Sequence, residues 1–175
     1  MKCIYYLTST LTSTHQISDD LHEAGISDWF FHVISKNESG LKKEHIHSSN
    51  YLETLDIIRD GCIGAMVGLL VGVMVSLFVK AFGPDEVPSI IYFIIPTVLV
   101  LFGAWTGGLV GTAHENNKIS KFHDEIEAGK YLILIYARQE EEETVKAMMT
   151  KKHTEAKLVA IDTHLLNPFS TLKRV

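Results

Sequence analysis

The sequence is poor in the residues that build cross-linked or catalytic scaffolds. Its two cysteines are Cys3, in a predicted strand, and Cys62, at the start of a long apolar segment. Their placement argues against a disulfide framework and fits the reducing environment of the cytosol. It has no glycine-rich phosphate loop, no HExxH or CxxC pair and no serine or cysteine nucleophile motif. The net charge of −5 is spread over both signs, without a basic stripe. We therefore expect no catalytic residue, no cofactor and no nucleic-acid partner.

The sequence does contain two long apolar segments, residues 61–82 and 89–113. Each has about 20 mostly apolar residues, and a helix of that length spans the ~30 Å hydrocarbon core of a bilayer. Residues 83–88 (GPDEVP) between them combine chain-breaking prolines with two carboxylates, which predicts a turn in water. We therefore predict a transmembrane helical hairpin with the lipid bilayer as its partner.

The flanking segments have the periodicity of two βαβ halves, residues 1–47 and 129–175. The first half has predicted strands at residues 3–8 and 29–35, a helix capped by Ser13 and Gln16, and a loop at residues 36–47. The second has strands at residues 131–136 and 158–161, a helix beginning near Glu140, and no regular structure beyond Asn167-Pro168. The order βαββαβ indicates an α+β membrane protein, whose ferredoxin-like cytosolic domain is interrupted by the hairpin.

Residues 48–128 are predicted as the helical hairpin with two cytosolic helical extensions. No breaker separates Ser48 from Gly61, so the incoming extension is predicted to continue into the first membrane helix. Basic residues flank the open ends of the hairpin, whereas the turn carries Asp85 and Glu86. The basic flanking residues are Lys42, Lys43, Arg59, Lys118 and Lys121. The positive-inside rule then places the folded domain and both termini on the cytoplasmic side of a bacterial inner membrane.

Glycines recur at one-turn spacing on both apolar segments. They are Gly61, Gly64, Gly68 and Gly72 on the first, and Gly103, Gly107 and Gly111 on the second. Small residues at this spacing let helix backbones approach closely in lipid. The two stripes can pack against each other within one hairpin, or at least one can pack against another subunit. We predict helix packing and a homo-oligomer.

Two alternatives to a pure assembly role stay open. Ser76, Thr97 and Thr106 can line a pore, which favours a small oligomeric ion channel, for a cation such as magnesium, gated by the cytosolic domain. Against it, no Asp, Glu, His or Arg lies at membrane depth. The second alternative is a sensor whose exposed histidines bind metal or protons. The nine histidines lack the spacing of a zinc site, so no metal ligand is predicted.

Three stretches resemble a bacterial family of small two-span membrane proteins known as general-stress or low-temperature-induced proteins. They are DLHEAGI at residues 20–26 leading into HVI at 32–34, the glycine-spaced hairpin, and EAGKYLI at 127–133. The resemblance implies a ferredoxin-like domain split by a hairpin and a stress-linked role, with no catalytic residue. We expect a non-enzymatic inner-membrane protein that homo-oligomerises, with a cytosolic domain for self-association or regulation and an unknown ligand.

Overall fold

The computed structural model describes residues 1–84, 86–138, 140–163, 165–167 and 170–174, apart from the side chain of Asp28. The predicted turn residue Asp85 and the predicted end point Pro168 therefore lie outside the described residues. The chain forms two compact units. The first, Met1–Thr54 with Asn117–Val175, contains the sheet, and the second, Leu55–Asn116, contains two long helices.

The first unit is an α+β structure built on one antiparallel sheet. Its strands are β1 (Lys2–Thr8), β2 (Phe31–Ile34), β3 (Tyr131–Ala137), β4 (Lys157–Asp162) and β5 (Lys173–Arg174). They lie in the order β2-β3-β1-β4-β5, and every neighbouring pair is antiparallel. The continuous apolar run YLILIY predicts a strand that is covered on both faces or nearly so. The structure confirms this prediction, since all residues of β3, which lies between β2 and β1, are buried.

Within the described residues, five helices of the first unit accompany this sheet. They are α1 (Leu11–Glu23), α2 (Glu38–Lys43), α3 (Tyr51–Thr54), α6 (His123–Glu127) and α7 (Glu142–Lys152), with short 3-10 turns at Asp28–Phe30 and Ser120–Phe122. One sheet face packs on α1 and α7 through residues such as Ile17 and Met149. The other face packs on the segment around Ile119 and Phe122 and on Leu165. The sheet therefore has an apolar layer on both sides.

The second unit consists of α4 (Ile57–Phe82) and α5 (Ile91–Gly111). Both helices are long and apolar enough to cross a membrane. Most of their large apolar side chains are exposed, as expected of surfaces that face hydrocarbon rather than water. The helix α4 begins four residues before the predicted span 61–82 and ends at Phe82 as predicted, whereas α5 begins two residues after the start of the predicted span 89–113 and ends two residues before its end.

The predicted continuous helix from Ser48 into the first membrane span is wrong. The helix α3 ends at Thr54, and Leu55 then forms an isolated antiparallel bridge with Glu115. The backbone N–H of Asp56 donates to the carbonyl of His114 at 3.1 Å. Because these backbone groups pair with the returning chain, they are not in a continuous helical ladder, and α4 begins only at Ile57.

The returning extension is also not the single helix predicted for residues 114–128. The helix α5 ends at Gly111, and the chain continues as a 3-10 turn and the five-residue α6. As a result, residues 48–54 and 117–128 belong to the sheet unit, unlike the predicted division into 1–47, 48–128 and 129–175.

Four local predictions in the sheet unit are also corrected. The predicted loop at residues 36–47 contains α2, which begins after Asn37, whose side chain accepts from Gly40 N–H. Thr10 rather than Ser13 caps α1, accepting from Ser13 N–H at 3.2 Å. Trp29 lies in a 3-10 turn before β2, and β5 follows Asn167. The caps of α1 and α2 are local contacts between residues three positions apart, whereas β5 forms because Lys173 and Arg174 pair with β4.

Candidate functional site

The two membrane-length helices contact each other backbone to backbone. A Cβ added to Gly64 would collide with the carbonyl of Gly103, and one added to Gly103 would collide with the carbonyl of Gly64. The other predicted glycines face the opposite helix in the same way. Gly68 meets Leu99, Gly72 meets Pro96, Gly107 meets Asp60, Gly111 meets Asp56 and Ile57, and Gly61 meets Ala104 more loosely. The pairing runs antiparallel, from Gly72 with Pro96 to Ile57 with Gly111.

This contact requires glycine because the space that a side chain would fill is occupied by carbonyl groups of the other helix. In lipid, where apolar side chains gain little from leaving the solvent, close van der Waals contact is what holds helices together. The structure therefore places all seven predicted glycines in the contact between α4 and α5. Their part in an oligomer stays a prediction.

The hydroxyl groups within the helices are bonded to backbone carbonyls. Ser76 Oγ donates to the carbonyl of Gly72 at 2.9 Å and lies 3.4 Å from that of Tyr92. Thr97 Oγ1 donates to Phe93 at 2.7 Å, and Thr106 Oγ1 donates to Phe102 at 2.9 Å. The three side chains considered as pore-lining groups thus satisfy carbonyls of their own hairpin.

One side of the hairpin carries an open apolar groove of about 590 Å³. Its floor includes Gly64, Gly68, Gly103 and Gly107. Its walls are mainly Ile63, Val67, Val71, Leu99, Phe102 and Val110. The glycines therefore have two effects. They let the two helices come into contact, and because they have no side chains they also leave the floor of a groove open on one side of the hairpin. We call this the glycine groove.

In the sheet unit, the segment before the helical unit is held by a buried carboxylate, Glu53. Its Oε1 accepts from Tyr136 Oη at 2.6 Å and lies 2.7 Å from His32 Nδ1, and its Oε2 accepts from Asn50 N–H at 3.2 Å. Glu53 is only 3% exposed. Its position inside a strand predicts that His32 is packed or hydrogen-bonded, and the structure shows the hydrogen bond to Glu53. The carboxylate thus ties α3 to β2 and β3.

The hydrogen bonds to Glu53 decide its charge state. Burial by itself raises the pKa of a carboxyl group, but the hydrogen bonds from His32 and Tyr136 outweigh it, and the pKa of Glu53 is lowered. Burial also raises the pKa of the Tyr136 phenol, so this group stays protonated and donates. Glu53 is therefore an anion held by donors.

The segment after the helical unit is held by a buried cation, Lys118. Its Nζ lies 2.5 Å from Asp162 Oδ2 and donates to Ser170 Oγ at 2.6 Å. It also donates to the carbonyls of Asn167 and Leu165, at 2.9 and 3.1 Å. The lysine is 6% exposed, so it is not the surface flanking charge that the sequence predicted. It joins this segment to β4 and to the C-terminal residues.

Sequence reasoning missed both anchors, because charged residues next to a membrane segment are usually solvated. Tyr51 and Leu52 show the opposite error. Their spacing with Leu55 and Ile58 predicts that they share one face of the incoming helix, but they are 80% and 45% exposed. No signal in the sequence singles out Glu53 or Lys118, since the bounds of the helical unit, two residues from each, come from the structure.

The histidines do not form a metal centre in the part of the chain that the structure describes, where no group of three His, Cys, Asp or Glu side chains is placed to hold a metal ion. One histidine departs from the expected surface position. His153 is 4% exposed, with Nε2 2.7 Å from Asp20 Oδ2 and Nδ1 3.4 Å from Glu155 Oε1. It links the end of α7 to α1 and is structural.

No known protein family matches the chain, and no curated protein or solved structure is similar to it. The resemblance to small two-span stress proteins therefore stays a prediction. Any function proposed for the chain rests on the glycine contact, the glycine groove and the two anchors.

Neighbouring glycines provide a matched test of the helix contact. We expect Gly107→Ala to destabilise the hairpin by about 1–3 kcal/mol, because its Cβ would overlap the Asp60 carbonyl. Gly108→Ala should stay within about 0.5 kcal/mol, since its Cβ would have only Ile57 Cγ2 nearby, at 3.9 Å. Thermal unfolding of the full chain in detergent measures both. Equal losses would contradict the backbone contact.

The lowered pKa of Glu53 predicts a pH dependence. A carboxyl group whose pKa is lower in the folded than in the unfolded state stabilises the folded state, and it does so fully when the pH is above its ordinary pKa of 4.5. That contribution is lost as the pH falls through the folded pKa. Glu53→Gln should lower the free energy of unfolding by about 1–3 kcal/mol near neutral pH. It should also make the free energy of unfolding less dependent on pH in the acid range. Glu23→Gln, at an exposed position of α1, is the control and should keep the wild-type profile.

Removing Lys118 should be much more damaging than removing a neighbouring lysine. Lys118→Met leaves the buried Asp162 carboxylate without its cation, which costs about 3–5 kcal/mol for such pairs. Lys121→Met changes an exposed side chain and should stay within about 0.5 kcal/mol. Unfolding followed by circular dichroism compares the two, and similar stabilities would show that Lys118 is no anchor.

Proposed function

We propose that this protein crosses the bacterial inner membrane twice, with the sheet unit and both termini in the cytoplasm. The length and apolar surface of α4 and α5 support this proposal. The distribution of charge supports the orientation, because Lys42, Lys43 and Lys121 flank the open ends of the hairpin and Glu86 lies in the turn. Lys118 no longer counts toward that argument, since its charge is buried against Asp162.

We further assign the sheet unit to the ferredoxin-like class. The support is the strand order β2-β3-β1-β4 with antiparallel neighbours, with α1 following β1 and α7 following β3. In chain order the helical unit falls between β2 and β3, where this class has a short connection. The strand β5 and the second apolar layer around Phe122 are additions to the class pattern.

We propose that the protein acts by assembly and is not an enzyme. The observation that carries this proposal is the glycine groove. Its glycines contact the opposite helix of the same hairpin, and they also leave helix backbone accessible from one side. A helix from a second copy can approach that backbone closely, which is the main source of helix association in lipid. The sheet unit then self-associates or regulates the assembly, in a stress-linked role.

A small cation channel is the weaker candidate. The hydroxyls of Ser76, Thr97 and Thr106 donate to backbone carbonyls of the hairpin, so they are poorly placed to replace the water around an ion. Pro96 contacts Gly72, which indicates a packing role for this residue. Ion flux through liposomes containing the purified chain would favour the channel over the assembly role.

Two valines on α4 provide the test of assembly. Val67 lines the glycine groove and is 54% exposed, whereas Val73 is 45% exposed and lies outside the groove. Val67→Phe fills the groove, so the complex in detergent should fall to monomer mass by light scattering. Val73→Phe should keep the wild-type mass. A monomeric wild type would refute assembly, and an intact Val67→Phe oligomer would refute the groove as its interface.

A further inference from the structure

A polar cavity of about 390 Å³ lies within the sheet unit, where the end of β2 meets α2 and α3. This volume is at the lower end of the range of small-molecule sites. Six of its lining residues carry a hydroxyl or amide group: Ser35, Ser48, Ser49, Asn50, Tyr51 and Thr54. Such a lining suits a compact ligand with several hydrogen-bonding oxygens.

The cavity also contains one charge of each sign. Glu38 and Lys42 are four residues apart on α2, and both side chains line the cavity. Within the described part of the chain, neither side chain forms an ion pair or a hydrogen bond, even with the other. A ligand that carries both an anionic and a cationic group can pair with each.

The lining residues of the cavity are close in the chain to the helix α4, which indicates that the ligand comes from the membrane. Thr54 lies three residues before Ile57, the first residue of α4, and three residues of chain reach at most about 11 Å. Tyr51 and Leu52 beside it are strongly exposed. Tyrosine next to a membrane helix is typical of the interface between headgroups and acyl chains.

We propose that this cavity binds the phosphoethanolamine headgroup of a membrane phospholipid. The Lys42 ammonium pairs with the phosphate and the Glu38 carboxylate accepts from the ligand ammonium, while the hydroxyl groups bond the remaining oxygens. Tyr51 and Leu52 contact the glycerol and the start of the acyl chains. This inference rests on the proposed membrane location of α4. It assigns a ligand to the sheet unit, for which the sequence predicted no particular ligand.

The charge pair also specifies which headgroups bind poorly. A phosphoglycerol headgroup has no cation, so the Glu38 carboxylate would face an anion without compensation. A phosphocholine headgroup has a quaternary ammonium, which cannot donate a hydrogen bond to Glu38. The geometry therefore favours phosphoethanolamine over both, although all three present the same phosphate to Lys42.

Native mass spectrometry of the detergent-solubilised full chain tests the selectivity. The probes are dihexanoyl phosphatidylethanolamine, the matching phosphatidylglycerol and phosphatidylcholine, and free O-phosphoethanolamine. One lost charge-assisted hydrogen bond corresponds to about tenfold in affinity, so the ethanolamine lipid should bind about tenfold more tightly than the others. Equal binding of the three lipids would overturn the proposal. Equal binding of free O-phosphoethanolamine would overturn its lipid source.

Variants on α2 locate the binding. Lys42→Met should weaken the ethanolamine lipid about tenfold, and Glu38→Gln should abolish the preference over phosphatidylglycerol. Lys43→Met is the matched control, because Lys43 is exposed and does not line the cavity, and it should bind as the wild type does. An unchanged Lys42→Met variant would refute the site. Carbonate extraction of cell membranes tests the membrane location separately, so either failure can be recognised without the other.

Discussion

The contact between the backbones of Gly64 and Gly103 sets the distance between α4 and α5, and the whole hairpin depends on it. Carbonyl oxygens of the opposite helix occupy the space that a side chain would take at Gly64, Gly68, Gly103, Gly107 and Gly111, and Pro96 occupies it at Gly72. Because most of this contact is made with backbone atoms, the large apolar side chains are left for the outer surface. That arrangement suits a hydrocarbon solvent, in which packing and not exclusion of apolar groups from water holds helices together.

The two segments that adjoin the helical unit are held by charge rather than by apolar packing. Glu53 and Lys118 are both buried, and each is surrounded by hydrogen-bonding groups of opposite character, from Tyr136 and Asn50 in one case and from Asp162 in the other. A buried charge is stable only while its partners stay in place, so the position of each segment on the sheet is specified more sharply than apolar contacts would specify it. Both segments are therefore joined to the sheet by buried charges and their partners.

The largest errors of the sequence-based prediction fall in those same segments. Residues 48–60 have helical periodicity, but Leu55 and Asp56 pair with the returning chain instead, and the helix breaks. The periodicity also assigned Tyr51 to an apolar face, whereas the buried residue of α3 is Glu53. The local pattern predicts the wrong face because Glu53, which has three hydrogen-bonding partners, can be buried while its aromatic neighbour Tyr51 stays exposed. The cavity beside α2 could not be predicted either, since its lining comes from residues 33–54 of three separate elements.

The two apolar spans, the glycine spacing and the strands at residues 3–8 and 131–136 could be predicted from local patterns, because each depends on a local period or run of residues. Long-range contacts, by contrast, set the sheet order β2-β3-β1-β4-β5, the mutual contact of the glycine rows, and the burial of Glu53 and Lys118. These features depend on which groups meet across long separations in the chain. Glu53 is 83 residues from Tyr136, and Lys118 is 44 residues from Asp162. No local pattern carries that information.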